Sequence, residues 1–476
     1  MLGRDKIIEL LKSLTREARK HGAGQAEVLY IGSHASTTRF ANSEIIQNVK
    51  ESNRTIYFRV LLDKRLGMTS TNSLHIDDLR RCQKKAIDMA KQAKPLKFFN
   101  SLPGPSEYPE VRTYFPETAN LTADDKIKML DEMFKQLQSE TKGPLTLILS
   151  PKWRGKGEGK YEMKAGGAFL TSETEVGIVN SNGLIAYQPF TSANINLIIS
   201  SASASGFASQ FERNIKNLDT DKLLSTAIRK TVASCKMQVA GKKPKRLKPG
   251  KYAVLLEPPA VNEILEWLVY IGFGAEVFTD GTSFMAGNIG KNIMSKKMTI
   301  YDDGADISGF PVPFDFEGTK KRRLDIIQDG MAKNVAYDTL LAKKRGKKTT
   351  GHALISEDIE GPFPTNVFIK EGDVTIEEMV SMIERGILVT RFHYVNGLLD
   401  TKTASMTGMT RDGTFYIEDG KIKYPVEDMR FTESILEAFS RIEAISNERQ
   451  AFPTPWSDVG ASVVPALLIN EFKFSD

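Results

Sequence analysis

Ten residues in the middle of the chain, Gly241-Lys-Lys-Pro-Lys-Arg-Leu-Lys-Pro-Gly250, constrain its folding more than any other stretch. With two prolines, two glycines and a single large apolar side chain, the run can neither fill a strand nor present a core-facing helical stripe. It reads as a solvated linker. A phosphate-binding patch would need aromatic residues between the charges, or a helix to present them, and it has neither. The expected organisation is an N-terminal α+β domain at 1–240, a basic Pro/Gly linker at 241–250 and a β-rich domain at 251–476. A chain of 476 residues is long enough for a sizeable core on each side.

Periodicity differs across this boundary. Before it, Ile7, Ile8, Leu11 and Leu14 recur at helical spacing, with Asp5 as a candidate cap and His21-Gly22 as the stop. Strand-like runs follow at 27–31, 37–40 and 54–62, and a second helix is predicted at 77–93. Prolines and Gly104 make 94–116 an extended connection. Thr122 to Asp125 opens a third helix, followed by a strand at 145–149, paired strands around a Ser181-Asn-Gly183 turn, and a helix at 223–232. Beyond the linker, short β runs dominate at 252–256, 298–301, 367–370, 387–395, 413–418, 421–425 and 465–474. Helices are expected there at 259–271, after the capping box Thr375-Ile-Glu-Glu378, and at 432–445. The predicted fold is therefore α+β in two domains. The first carries an antiparallel sheet, and the second is barrel- or sandwich-like with a few helices.

Few chemistries fit this residue set. The two cysteines, Cys82 and Cys235, belong to no Cys-x-x-Cys pair, and no apolar run reaches the length of a membrane helix, so a reducing cytoplasm is the expected setting. A net charge of +6 is too small on a chain this long to argue for nucleic acid, and the runs 320–323 and 343–348 read as solvated charge. The five histidines, His21, His34, His75, His352 and His393, are isolated, so no helix offers two imidazoles to one zinc ion. Phosphate-binding Gly-x-x-x-x-Gly-Lys and nucleophilic Gly-x-Ser-x-Gly motifs are absent. The Gly-rich run 154–160 lacks dinucleotide spacing and reads as a basic surface loop or flap. The most unusual local chemistry is Arg391-Phe-His-Tyr-Val-Asn396. Strand alternation puts Arg391, His393 and Val395 on one face and Phe392, Tyr394 and Asn396 on the other. Such a strand could line a cleft, with His393 titrating beside a fixed charge, or be an edge whose polar side meets solvent or a partner.

Several phrases in order resemble the TldD/PmbA family, also called "modulator of DNA gyrase". They include Arg39-Phe-Ala-Asn-Ser-Glu-Ile-Ile46, Asn180-Ser-Asn-Gly183, Asp315-Phe-Glu-Gly318, Ile327-Gln-Asp-Gly330, Gly386-Ile-Leu-Val-Thr390 and Ile417-Glu-Asp-Gly-Lys-Ile422. The resemblance implies zinc proteases whose catalytic members carry a His-Glu-x-x-x-His helix just after the strand that 252–256 resembles. Here that helix holds no histidine. The positions facing the two ligands are read as about Glu266 and Ile271, and no cysteine follows Cys235 to replace the family's further ligand. The resemblance then implies a PmbA/TldE-like, non-catalytic subunit without metal or other cofactor. Such a subunit would partner a TldD-like catalytic subunit as a heterodimer, or form a homodimer, and would help enclose an unfolded peptide bound as an added strand. Arg391, His393, Tyr394 and Asn396 are the peptide-binding candidates. Two alternatives stay open: a hydrolase using His393 with Glu263 and Glu266, and, less favoured, a DNA- or gyrase-associated binding protein.

Overall fold

The computed structural model describes residues 1–142, 162–201, 204–239, 244–355 and 361–475. The strand expected at 145–149, the Gly-rich run 154–160 and the start of the basic stretch lie outside the described residues.

The first half runs α1 (Arg4–Lys20), β1 (Gln25–Ala41), β2 (Glu44–Leu62), β3 (Arg65–Thr71), α2 (Ile76–Gln92), α3 (Pro116–Ala119), α4 (Ala123–Lys142), β4 (Lys164–Asn180), β5 (Ile185–Ser201), β6 (Ala204–Glu212) and α5 (Thr220–Val239). Its six strands form one antiparallel sheet in the order β3-β2-β1-β4-β5-β6. The 27–31 and 37–40 runs belong to one long strand. It returns through Asn42 and Ser43, both at positive φ (53° and 60°), a left-handed pair whose twist suits a two-residue hairpin. Helices α1 and α2 bury Leu11, Leu14, Leu79 and Ala86 against Val28 and Phe58 on one half of the sheet. On the other half α4 and α5 bury Leu130, Phe134, Leu224 and Ile228 against Phe169 and Ile195. The α1 cap departs from expectation: Gly3 precedes the helix, and Glu175 accepts from the N–H groups of Leu2 and Gly3, at 3.0 and 2.9 Å.

The second half runs β7 (Gly250–Leu256), α6 (Pro258–Gly272), α7 (Ala275–Thr279), β8 (Ile300–Asp302), β9 (Leu324–Gln328), β10 (Met331–Ala332), α8 (Thr339–Lys344), β11 (Asn366–Ile369), α9 (Ile376–Met382), β12 (Arg385–Asp400), β13 (Ser405–Glu418), β14 (Lys421–Pro425), β15 (Arg430–Ser434), α10 (Ile435–Ser440), β16 (Ile442–Pro453) and β17 (Ala461–Ser475). Because β7 pairs with both β12 and β17, the ladder β7-β12-β13-β15-β17 closes on itself as a small barrel. Helix α6 fills it, packing Ile264, Leu265 and Leu268 into a core with Val254, Val389, Phe431 and Phe472.

The helix expected at 432–445 is a correction. Only Ile435–Ser440 is helical, because Phe431 and Glu433 alternate inward on β15 and pair with β13 and β17. Cross-strand pairing here overrides helix propensity. The run 320–323 is likewise not simply solvated. Lys321 is buried 3.5 Å from Asp302, and Arg323 lies over Tyr301 at 3.7 Å while pairing with Asp325. Described residues of the basic stretch are also engaged: Lys245 donates its N–H to Pro425 and covers the ring of Tyr424.

The two halves share a core. The sheet face opposite the helices, with Leu29, Ile31, Val176 and Ile178, packs on Phe310, Val312, Phe314 and Phe316. At its margin Arg59 of β2 is buried between Glu27 of β1 and Glu317 of the second half. Among the described residues no helix is long and apolar enough to cross a membrane.

Candidate functional site

The surface that matters is built by α6 and β12, which pack on each other through Trp267 and Gly397. Pro258 and Pro259 sit where the first helical turn has no N–H bonds to lose, so the chain leaves β7 and enters α6 directly. Glu257, the residue before it, donates its N–H to Val389 of β12 at 3.0 Å and pairs its carboxylate with Lys230 of α5 at 2.8 Å. These bonds fix the helix start to the barrel and to the first half together.

Around α6 the side chains divide by face. Glu266 points inward, 5% exposed, where its carboxylate accepts from Ser462 Oγ at 2.6 Å and Thr454 Oγ1 at 3.0 Å. Burial pushes its pKa up to about 7, against the pull of those hydroxyls. Ile271 is also packed, at 2% exposure. Reading Glu266 and Ile271 as the residues opposite two metal ligands is therefore corrected: both belong to the core. The open side carries Glu263, Trp267 and Tyr270 at i, i+4 and i+7, one stripe of a helix. Glu263 is exposed, yet protein crowding raises its carboxyl pKa despite the opposing charge of Arg391. Trp267 lies against Gly397 of β12, where even a Cβ would come within 2.8 Å of the indole. Trp456 stacks on Tyr270 with centroids 4.5 Å apart, stands near-perpendicular to Trp267, and donates its indole N–H to the Glu266 carbonyl at 3.1 Å.

Strand β12 supplies the other wall. Its pairing with β13 slips between His393 and Asn396, and Tyr394 adopts a left-handed φ of 52°. The extra residue reverses the alternation, so Val395 shares the buried face with Phe392 rather than with Arg391 and His393. Arg391, His393, Tyr394 and Asn396 are thereby all left at least partly accessible. Arg391 is ion-paired with Asp412 and covers the ring of Phe207 at 4.6 Å, while Ser205 of β6 donates to the same Asp412 at 2.7 Å. The arginine thus ties the barrel to the edge of the first sheet. Partial burial, with Arg411 and Arg391 nearby, lowers the pKa of His393. Its ring meets that of Tyr394 at 3.9 Å, and no hydrogen bond or ion pair among the described residues joins it to Glu263 or Glu266.

Zinc does not fit this surface. Asn262-Glu263-Ile-Leu-Glu-Trp267 carries the spacing of a His-Glu-x-x-x-His helix with its glutamate kept, but an amide and an indole stand where imidazoles would be needed. Among the described residues no three His, Cys, Asp or Glu side chains gather as a metal site. His352 is occupied elsewhere, buried 3.0 Å from Asp302. Sequence reasoning missed Asn262, Trp267, Tyr270, Asp412 and Trp456. The motif spacing ending in Trp267 was a signal for the first two, while Trp456 is distant in sequence.

A closed barrel with a core-filling helix, joined to an antiparallel sheet, defines the class to which this chain is similar throughout. Models of the PmbA/TldA metallopeptidases match as domain 1 over 26–90, central domain over 116–234 and C-terminal domain over 249–476. The chain belongs to the PmbA/TldD family. Metalloprotease PmbA of Escherichia coli O157:H7 is 26% identical over 208 residues, covering 43% of each chain. A metalloprotease TldD homolog of Buchnera aphidicola is 25% identical over 202 residues, 42% of this chain and 41% of that one. The chain thus matches less than half the length of these curated relatives. The crystal structure of TldE from Thermococcus kodakarensis superposes over 98% of this chain and 99% of that one, with a TM-score of 0.83 at 21% identity, which shows the fold.

Proposed function

We propose that this chain is a non-catalytic, PmbA/TldE-like subunit that partners a TldD-like zinc metalloprotease of the cytoplasm in processing unfolded peptides. The observation that carries this reading is the make-up of α6, where Asn262 and Trp267 stand at the motif's two imidazole positions around Glu263. Neither can bind zinc as imidazole does, so there is no means here of bringing a bound water's pKa toward neutrality. The accessible residues of β12 support a role in holding peptide instead. Tyr394 is 80% exposed, with Leu398 and Leu399 at 57% and 53% beyond it, an apolar strand surface suited to an extended chain. Hydrolysis by His393 with Glu263 and Glu266 has no such support, since Glu266 is buried and bonded within the barrel.

Co-expression with a TldD-like subunit from the same organism tests the proposal. A complex that survives gel filtration is expected, and two chains that elute separately at micromolar concentration would contradict it.

A further inference from the structure

The open stripe of α6 ends in an unmatched acceptor. Glu263 receives no hydrogen bond and no ion pair among the described residues, although the charge of Arg391 reaches it. That cation is engaged elsewhere: Arg391 is held by Asp412 and stacked on Phe207. Next along the helix, Asn262 Oδ1 is buried without a donor. The buried amide oxygen lacks the donor that buried polar groups ordinarily find, and the exposed carboxylate next to it has no protein partner among the described residues. Beside them stand the partly exposed rings of Trp267 and Tyr270, with Trp456 stacked on Tyr270. An exposed carboxylate one helical turn from the partly exposed indole of Trp267 makes an environment that favours a cation with N–H groups to give, through charge, hydrogen bonds and the ring quadrupole together.

We infer that this corner is a subsite for the ammonium or guanidinium of a basic side chain in a bound peptide, with Glu263 as its counter-ion and Trp267 as its wall. The inference rests on the peptide-binding reading above and goes beyond it by naming what the peptide must carry. It also accounts for the retention of the motif's glutamate on a helix that has lost its imidazoles: the carboxylate holds a ligand charge in place of acting on water. Crowding raises the carboxyl pKa of Glu263 against the charge of Arg391, and Glu266 on the same helix is pushed up to about 7, so affinity for a basic peptide should increase as pH rises through both carboxyls while lysine keeps its proton.

The test uses the full chain and fluorescent unfolded peptides, acetylated and amidated at their ends, that differ only in one lysine against norleucine. Wild type is expected to prefer lysine about tenfold, as an exposed ion pair and a cation–π contact would give together. Glu263→Gln should abolish that preference. Equal affinity of wild type for the two peptides, or a preference that survives Glu263→Gln, would overturn the subsite. A third peptide, with norleucine and a free N-terminus, separates the sources of the cation: a preference carried by the α-amine alone would overturn the side-chain assignment. Failure of every peptide to bind would remove the peptide-binding reading itself, whereas binding without charge preference would remove only the subsite.

Discussion

Glu263 and Glu266 lie one helical turn apart and have opposite fates, which only burial explains. Glu266 faces Ser462 and Thr454 inside the barrel with its pKa pushed up to about 7, well above the usual carboxylate range. The folded state therefore holds a proton that the unfolded state has already released. Between the unfolded value near ~4.3 and 7, the contribution of Glu266 to stability should fall as pH rises, and it should stay constant above and below that window. Glu266→Gln removes the titration. By urea unfolding, variant and wild type should differ little near pH 4, and the variant should gain on wild type by on the order of 3 kcal/mol by pH 8. A gap independent of pH would contradict this assignment. At this scale the sequence was partly legible. It offered Glu263, Glu266, Arg391 and His393 as a polar set, but helical spacing alone does not say which glutamate faces Ser462, a residue almost two hundred positions away.

At the scale of elements, α6 and β12 meet where Trp267 covers Gly397. A methyl group there would come within 2.8 Å of the indole, so Gly397→Ala should cost about 1–3 kcal/mol in thermal or urea unfolding. Shrinking the neighbour with Trp267→Phe in the same chain should recover part of that loss; additive losses would show that the two do not pack as described. A second element carries the opposite prediction. Tyr394 holds a left-handed backbone in the β12 bulge while 80% exposed, so Tyr394→Gly should leave stability unchanged or raise it by about 1 kcal/mol while weakening peptide binding. Strong destabilisation would mean that the ring supports the bulge. The bulge was not legible in the sequence, because counting alternate positions assumes that no residue is inserted, and it was the insertion that moved Val395 to the buried face. The strand β15 was hidden for a related reason: Arg430 to Ser434 borrows its pairing from β13 and β17, and nothing local announces either partner.

For the whole molecule, the α+β character, the antiparallel first sheet and the barrel-like second half were readable from period-2 and period-3.6 patterns and from hairpin turns such as Asn180 to Gly183. The closure of the barrel through β7 and the core shared by the two halves were not, since both depend on contacts between distant segments. The Arg59 cluster is the clearest such contact. Burial opposes its charge, and Glu27 and Glu317 more than compensate, raising its pKa. Arg59→Met would leave two buried carboxylates without a counter-ion and should cost about 3–5 kcal/mol of unfolding free energy, with the loss greatest above neutral pH. A loss below ~1 kcal/mol, the scale of an exposed pair, would show that the cluster does not clamp the halves. The central claim, a family member that no longer does its own chemistry, is tested most directly by metal content. The tag-free chain would be dialysed against trace zinc and measured by elemental mass spectrometry. Negligible zinc per chain is predicted, because Asn262 and Trp267 cannot replace imidazoles; about one zinc per chain, released by a chelator, would contradict it.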